Sequence, residues 1–229
     1  MSNRLTFSIL AVTKTFDSYC IAGMDQNGDW YRPLPNGRGK FWSTVCYGDG
    51  TFIEVGDVWV INDYIKEPDQ ISIGHTEDIR LKSPPTYVKK LSDRELIQFV
   101  QAKQENSVDL EETINADKRS LCLIKVDSFT SFINTYNEKK SSRILFEFEG
   151  ISYRNTTRTP GFPVTDLKWR AYILQECVPL NDWQEKFICI GLARKEPNKD
   201  INQEYPMVIS IITEPNLLII ALLSKLVIR

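Results

Sequence analysis

The chain has 229 residues and a mass of 26.4 kDa, room for one large domain or for two of about 100 residues each. Hydrophobic residues make up 42% and charged residues 25%, with only 11 glycines and 11 prolines, which excludes a disordered, collagen-like or low-complexity chain. Lys and Arg number 28 against 30 Asp and Glu; the net charge of -2 argues against a protein that coats long polyanions, and leaves room for a local basic groove.

Leu5, Phe7 and Ile9 alternate with Thr6 and Ser8, the period of a half-buried strand, and the apolar run continues through Ala11-Val12. Tyr19 to Asp25 and Asp29 to Leu34 read as the two arms of a hairpin, joined by Gln26-Asn27-Gly28, whose Asn-Gly pair favours a tight turn. The glycine-containing stretches 35–40 and 47–50 read as surface loops. Phe52 to Val55, Val58 to Ile61, Ile71 to Ile73 and Ile79 to Leu81 supply short strand signals. Beyond Pro84-Pro85, Ser92 and Glu95 have capping-box spacing, and Leu96, Phe99, Val100 and Lys103 fall at helical spacing, which predicts a helix over 92–104. Polar residues 105–119, with a short helix starting near Asp109, hold the expected domain boundary.

The second half restarts at Ser120 to Val126, then alternates through Ile144, Phe146 and Phe148 to a Glu149-Gly150 turn and Ile151 to Tyr153. Val164 to Leu174, Phe187 to Leu192 and Met207 to Ile212 read as three more strands, with a charged loop between Arg194 and Glu204. The expected fold is mainly β with minor α: two OB-like small β-barrels in tandem, over 1–115 and 116–213, followed by an apolar tail over 214–229. A split β-sandwich is the structural competitor.

The single histidine, His75, excludes a two-histidine metal site and a multi-histidine catalytic centre. Five cysteines, Cys20, Cys46, Cys122, Cys177 and Cys189, are odd in number and form no C-x-x-C pair, which fits a reducing cytoplasm better than a disulfide framework or zinc ribbon. The start of the chain shows no secretory pattern, and the apolar run from Leu217 to Leu223 is too short to span a bilayer, so no membrane association is expected. The stretch 36–40 has two glycines and no Gly-Lys-Ser/Thr, so it is no P-loop. Neither His75 nor Cys20 has a partner at catalytic spacing; a non-catalytic protein without cofactor or metal is expected.

Two basic-aromatic groups point to ligand binding. Trp30 and Arg32 stand two apart on a strand and so share a face, placing an aromatic plate beside a guanidinium, the chemistry by which OB surfaces stack bases and hold phosphates. Lys14, Arg38 and Lys40 are candidate cations around that hairpin, although each also suits a solvated loop. In the second half, Tyr153, Arg154, Arg158, Lys168, Trp169 and Arg170 surround Thr165-Asp166. The structural alternatives are concrete: Trp30 and Trp169 pack in cores, Arg32 pairs with Asp25 or Asp29, and Thr165-Asp166 caps a turn or helix.

Cys20-Ile21-Ala22-Gly23-Met24-Asp25, followed by Gly28-Asp29-Trp30-Tyr31-Arg32-Pro33, resembles the C-x-A-G-x-D … G-x-W-x-R-P hairpin of bacterial dual OB domain-containing proteins. Ser120 to Leu123, Arg143 to Phe146, Phe148, Gly150, Tyr153 and Val164-Thr165-Asp166 resemble the landmarks of that family's second half, so the similarity runs over about residues 5–213. The resemblance implies tandem OB barrels, binding of nucleic acid or a nucleotide, and a setting in defence against phage. The tail 216–229 has no match in the family pattern and is a candidate docking element for a protein partner. The two functions expected are therefore binding of single-stranded nucleic acid or a nucleotide, and, as the alternative, an adaptor or inhibitor that docks on another protein. The isoelectric point near 5.6 confines any nucleic-acid contact to a local patch.

Overall fold

The structure, a computed structural model, describes residues 4–15, 17–116, 118–136, 139–154, 160–174, 183–195 and 202–214. β1 (Leu5–Thr15), β2 (Ser18–Asp25) and β3 (Trp30–Leu34) form an antiparallel meander. The β2–β3 turn has the chemistry expected of it: Asp25 Oδ1 accepts the backbone N–H groups of Asn27 and Asp29 at 2.8 and 3.0 Å, and Gly28 takes a φ of 95°. β4 (Asp57–Ile61) pairs with the other side of β1, and β5 (Tyr64–Lys66) follows it after only Asn62-Asp63. β5 pairs with β6 (Asp78–Leu81), which lies parallel to β3. Both ends of this path are thus pieces of one nearly continuous strand, so the sheet curls into a closed barrel, with β7 (Thr86–Lys90) added outside β4.

The second half repeats the circuit. β8 (Leu121–Lys125) and β9 (Ser128–Tyr136) are one bent strand broken at Val126-Asp127. β9 pairs with β10 (Lys139–Phe148), which pairs with β11 (Ile151–Tyr153) and β12 (Phe162–Pro163). β13 (Glu185–Leu192) joins β8 to β14 (Pro206–Glu214), and a parallel bridge between Val164 and Val208 closes the ring. In each half a parallel contact between the third and last strands of the circuit closes the barrel, so the two are topological copies without a sequence repeat. The fold is mainly β, two OB-like barrels in tandem.

α1 (Asp93–Lys103) starts where the capping box places it: the Ser92 hydroxyl accepts the Glu95 N–H, and the Glu95 carboxylate accepts the Ser92 N–H at 2.8 Å. α2 (Ser107–Ile114) is capped the same way by Asn106 and Asp109. α3 (Leu167–Leu174) overturns the strand reading of Val164 to Leu174. Asp166 Oδ1 accepts the Trp169 N–H at 2.9 Å, which makes Asp166 an N-cap, and Trp169 and Tyr172, three apart, share one helical face in the second barrel. Phe52 to Val55 supplies only an isolated bridge from Phe52 to Cys46, and Ile71 to Ile73 forms bends that leave Ile71 and Ile73 exposed. The strand β9 has no counterpart in the sequence reading, because its residues are half polar.

Among the described residues three apolar clusters organise the interior: one inside each barrel and one between them. A β-bulge between Ile9 and Ala11 decides which residues go where. Leu5, Phe7 and Ile9 fill the first barrel; past the bulge the parity flips, so Val12 points inward while Leu10 and Ala11 join the inter-barrel cluster. Gly23 permits this crossing, since a Cβ there would sit 2.0 Å from the Ser8 carbonyl oxygen. Ala22, Met24 and Trp30 complete the first barrel's contribution; Leu121, Leu123, Phe187, Cys189, Ile209 and Ile212 answer from the second, under Leu96, Ile97 and Val100 of α1. Among the described residues, no helix is long and apolar enough to cross a membrane. The tail 215–229 and Arg158 lie outside the described residues.

One carboxylate in the first barrel ties stability to pH. Asp57 is 3% exposed; burial pushes its carboxyl up to about 6, although the Tyr47 hydroxyl donates to it at 2.8 Å. A raised carboxyl pKa favours the folded state below about pH 4, and that contribution is lost as pH rises through 6. Asp57→Asn should therefore flatten the pH dependence in this window and raise stability at pH 7 by about 3 kcal/mol, from a shift of roughly two units. Urea melts of both proteins at pH 4 and pH 7 check it; equal pH dependence in the two would show that Asp57 ionises freely.

Candidate binding cleft between the barrels

The face that carries Trp30 and Arg32 is turned toward the second barrel. Their side chains do share a side of β3, opposite Tyr31, as alternation requires. Trp30 is 8% exposed and donates its indole N–H to Glu105 at 2.9 Å, so it offers no stacking surface to solvent. Arg32 is 3% exposed, and its partner is neither Asp25 nor Asp29. Its guanidinium donates to Asp78 at 2.9 Å, to the Ser120 hydroxyl of the second half at 2.6 Å and to Nδ1 of His75.

Arg32 belongs to a chain of buried charges across the junction. Arg194, just past β13, donates to Asp78 at 2.6 Å and to Asp69 at 2.6 Å, and Lys40 reaches the same Asp69 oxygen at 2.7 Å. Burial opposes ionisation of Asp69, but Lys40, the N–H groups of Ile71 and Ser72, and Arg194 outweigh it and hold the carboxyl well below the usual range. Burial likewise disfavours the Arg32 cation, and Asp78 more than restores it. Burial, then the Arg32 and Arg194 charges, keep His75 neutral. Its Nε2 stands 3.4 Å from Glu204, whose carboxyl burial pushes up. Sequence reasoning missed Asp69, Asp78, Arg194 and Glu204. Arg194 and Glu204 were read only as the ends of a charged loop, whereas Arg194 is 6% exposed. A signal existed in Asp78, a charge opening the short strand in which Ile79 and Leu81 are core-type residues, because a charge buried there needs a partner.

Above this network lies a cleft of about 160 Å³. Ala11, Thr13 and Thr15 of β1 and Cys20 of β2 line it from the first barrel, together with Phe41, and Thr165, Tyr205 and Met207 line it from the second, over a floor of Arg32, His75 and Arg194. Tyr205 is 40% exposed, and the Arg194 guanidinium lies 6.0 Å from the Phe41 ring centre. Lys14 lines the cleft without a charged partner among the described residues. The connections that supply lining residues are β3–β4, with Phe41, and β5–β6, with His75, of the first barrel and β13–β14, with Ala193, Arg194 and Tyr205, of the second, beside Thr15 at the end of β1.

The other sequence candidates divide. The structure brings Lys14 and Thr165 together: the Lys14 N–H donates to the Thr165 carbonyl at 3.4 Å, beside a bridge between Thr13 and Asp166. Asp166 is 4% exposed, accepting the N–H groups of Trp169 and Ile211, and burial raises its carboxyl pKa. Trp169 is fully buried and donates to the Ser142 hydroxyl, and Tyr153 stacks on Phe146 at 5.0 Å inside the second barrel. Arg170 faces a second cleft beside Lys14. Arg38 is exposed on the 35–40 loop, and Arg154 donates to the Ser152 hydroxyl at 3.2 Å.

The family model described as a dual OB-containing domain matches residues 5–211. No curated protein matches the chain. Among solved structures, the crystal structure of the tetrameric p202 HIN2 is 8% identical with a TM-score of 0.31, covering 90% of this chain and 89% of that one. A structure described as the molecular basis for abrogation of activation of pro-inflammatory cytokines is 11% identical with a TM-score of 0.31, covering 90% and 88%. Both likenesses are too low to bear on function.

Arg32→Ala should cost about 3 to 5 kcal/mol, since it strips a buried carboxylate of one partner, and lower the melting temperature by roughly 10 °C. Arg32→Lys should recover little of that, lacking the planar fork. Arg38→Ala, on an exposed loop, should stay within about 0.5 kcal/mol. Thermal melts of the three variants decide it, and an unchanged melting point for Arg32→Ala would mean the network adds nothing to stability.

Proposed function

The chain belongs to the dual OB-containing domain family, and from that membership and the inter-barrel cleft we propose that it is a non-catalytic module binding single-stranded nucleic acid or a nucleotide. The observation that carries the reading is the position of the cleft. OB folds bind oligonucleotides at the loops between their first and second and their fourth and fifth strands; the β5–β6 and β13–β14 connections that line the cleft are the fourth-to-fifth loops of the two barrels, and Thr15 lines it at the start of the first barrel's β1–β2 turn.

The lining suits such a ligand. Phe41 and Tyr205 offer aromatic faces for a base, Lys14 a cation for a phosphate, and Thr15 and Thr165 hydroxyls for sugar or phosphate oxygens. Arg32 and Arg194 are committed to Asp78 and Asp69, so they shape the floor and add little uncompensated charge. Turnover is no part of the reading: His75 is 1% exposed and its Nδ1 lone pair already accepts from Arg32, which leaves it no free base position there. The setting in antiphage defence belongs to the same proposal.

Two measurements test it. Binding of a labelled 15-mer of thymidine or uridine should weaken shallowly with salt, with a log–log slope of about -0.7 for each phosphate contacted, hence only one or two units in all. Tyr205→Ala and Phe41→Ala should each weaken binding about tenfold, from the loss of roughly 1 to 3 kcal/mol of stacking, with no change in salt slope. Absence of binding to both polymers and to nucleotides would overturn the proposal.

A further inference from the structure

Resting on that reading, we propose that the ligand is an oligonucleotide of at least two nucleotides, which lies across the tip of β1 with one base in the inter-barrel cleft and the next in the second cleft on the other side of the strand. The second cleft holds about 80 Å³ and is lined by Val12, Tyr19, Val45, Phe52, Ile53 and Leu167, with Lys14, Lys168 and Arg170 at its polar edge.

The end of β1 divides the two clefts. Past the bulge, Thr13 and Thr15 face the inter-barrel cleft, Val12 faces the second, and Lys14 lines both. On the opposite wall the β12–α3 junction divides in the same way, with Thr165 in the first cleft and Asp166, Leu167 and Lys168 in the second. Among the described residues Lys14 is therefore the one cation shared by the two clefts, where a phosphate linking two adjacent nucleotides would sit. Volumes of about 160 and 80 Å³ are each below the roughly 300 Å³ of a site enclosing a whole drug-sized ligand, so each cleft fits a part of one.

Charge points the same way. Among the described residues the second cleft contains two acids, and both are already engaged: Glu54 pairs with Lys90, and Asp166 accepts two backbone N–H groups. Arg170 is half-buried, has no side-chain partner among the described residues, and burial alone lowers its pKa. An arginine held partly out of water without a carboxylate is stabilised by an incoming anion. The apolar floor, with the half-buried Phe52, suits the flat face of a base.

Titrations of the full chain with thymidine monophosphate and with the di- and tetranucleotides of thymidine, read by calorimetry, test this. The dinucleotide should bind at least tenfold more tightly than the monophosphate, and the tetranucleotide no less tightly than the dinucleotide. Arg170→Ala should bring that advantage to threefold or less, Arg170→Lys should keep part of it, and both variants should melt within about 2 °C of the parent. If monophosphate and dinucleotide bind equally well, or if folded Arg170→Ala keeps the full advantage, the two-cleft path is wrong while the binding function stands. If none of the three ligands binds, the binding reading fails as well.

Discussion

Asp78 takes one guanidinium from each half of the molecule, Arg32 from β3 and Arg194 from beyond β13, while itself 1% exposed. Three charges withdrawn from water can be stable together only if all three hold their places, because each would be costly to bury alone. That requirement fixes how the barrels dock. An apolar interface by itself tolerates small slips, whereas a carboxylate shared by two planar forks defines one distance and one angle. The cleft above it inherits this rigidity: its floor is set by Arg32, His75 and Arg194, and Asp69 extends the same chain to Lys40.

The second constraint is the bulge in β1. A strand of regular pleat buries one face; by flipping parity between Ile9 and Ala11, this strand fills a barrel with Phe7 and Ile9 and still gives Leu10 and Ala11 to the neighbouring barrel. The same shift sends Thr13 and Thr15 to one side of the strand end and Val12 to the other. Two clefts separated by one strand follow directly from one inserted residue.

What the sequence revealed, it revealed through local chemistry. Asn27-Gly28 and the Ser92–Glu95 capping box each act within a few residues, and both were found where the spacing placed them. Val164 to Leu174 misled because Trp169, Tyr172 and the neighbouring aliphatics suit a strand equally well, and only the cap at Asp166 tells them apart. The site was legible in part. Lys14 and Thr165, from opposite halves of the chain, do meet at the cleft, whereas Trp30 and Trp169 are packed inside, Arg32 has only its committed guanidinium at the floor, and Tyr153 stacks in the second barrel. The pairing of Arg32 with Asp78 joins residues 46 apart, and that of Asp78 with Arg194 joins residues 116 apart; no short-range pattern encodes either. A single-sequence reading could know that a buried arginine needs an acid, but not which one.

The order in which the chain is made gives the Asp78 clamp a further meaning. The first barrel is complete once Leu81 has left the ribosome, yet the strands that cover Leu10, Met24 and Trp30 end only at Glu214. At ordinary synthesis rates that interval lasts on the order of ten seconds. Throughout it the newborn barrel shows a greasy wall with a half-matched ion pair set in it, and Arg194 emerges between β13 and β14, the last two of the three strands that will cover that wall. A nascent chain so arranged is vulnerable to sticking to its neighbours until the second barrel docks, and the late arginine makes the arrival of β14 the event that seals it.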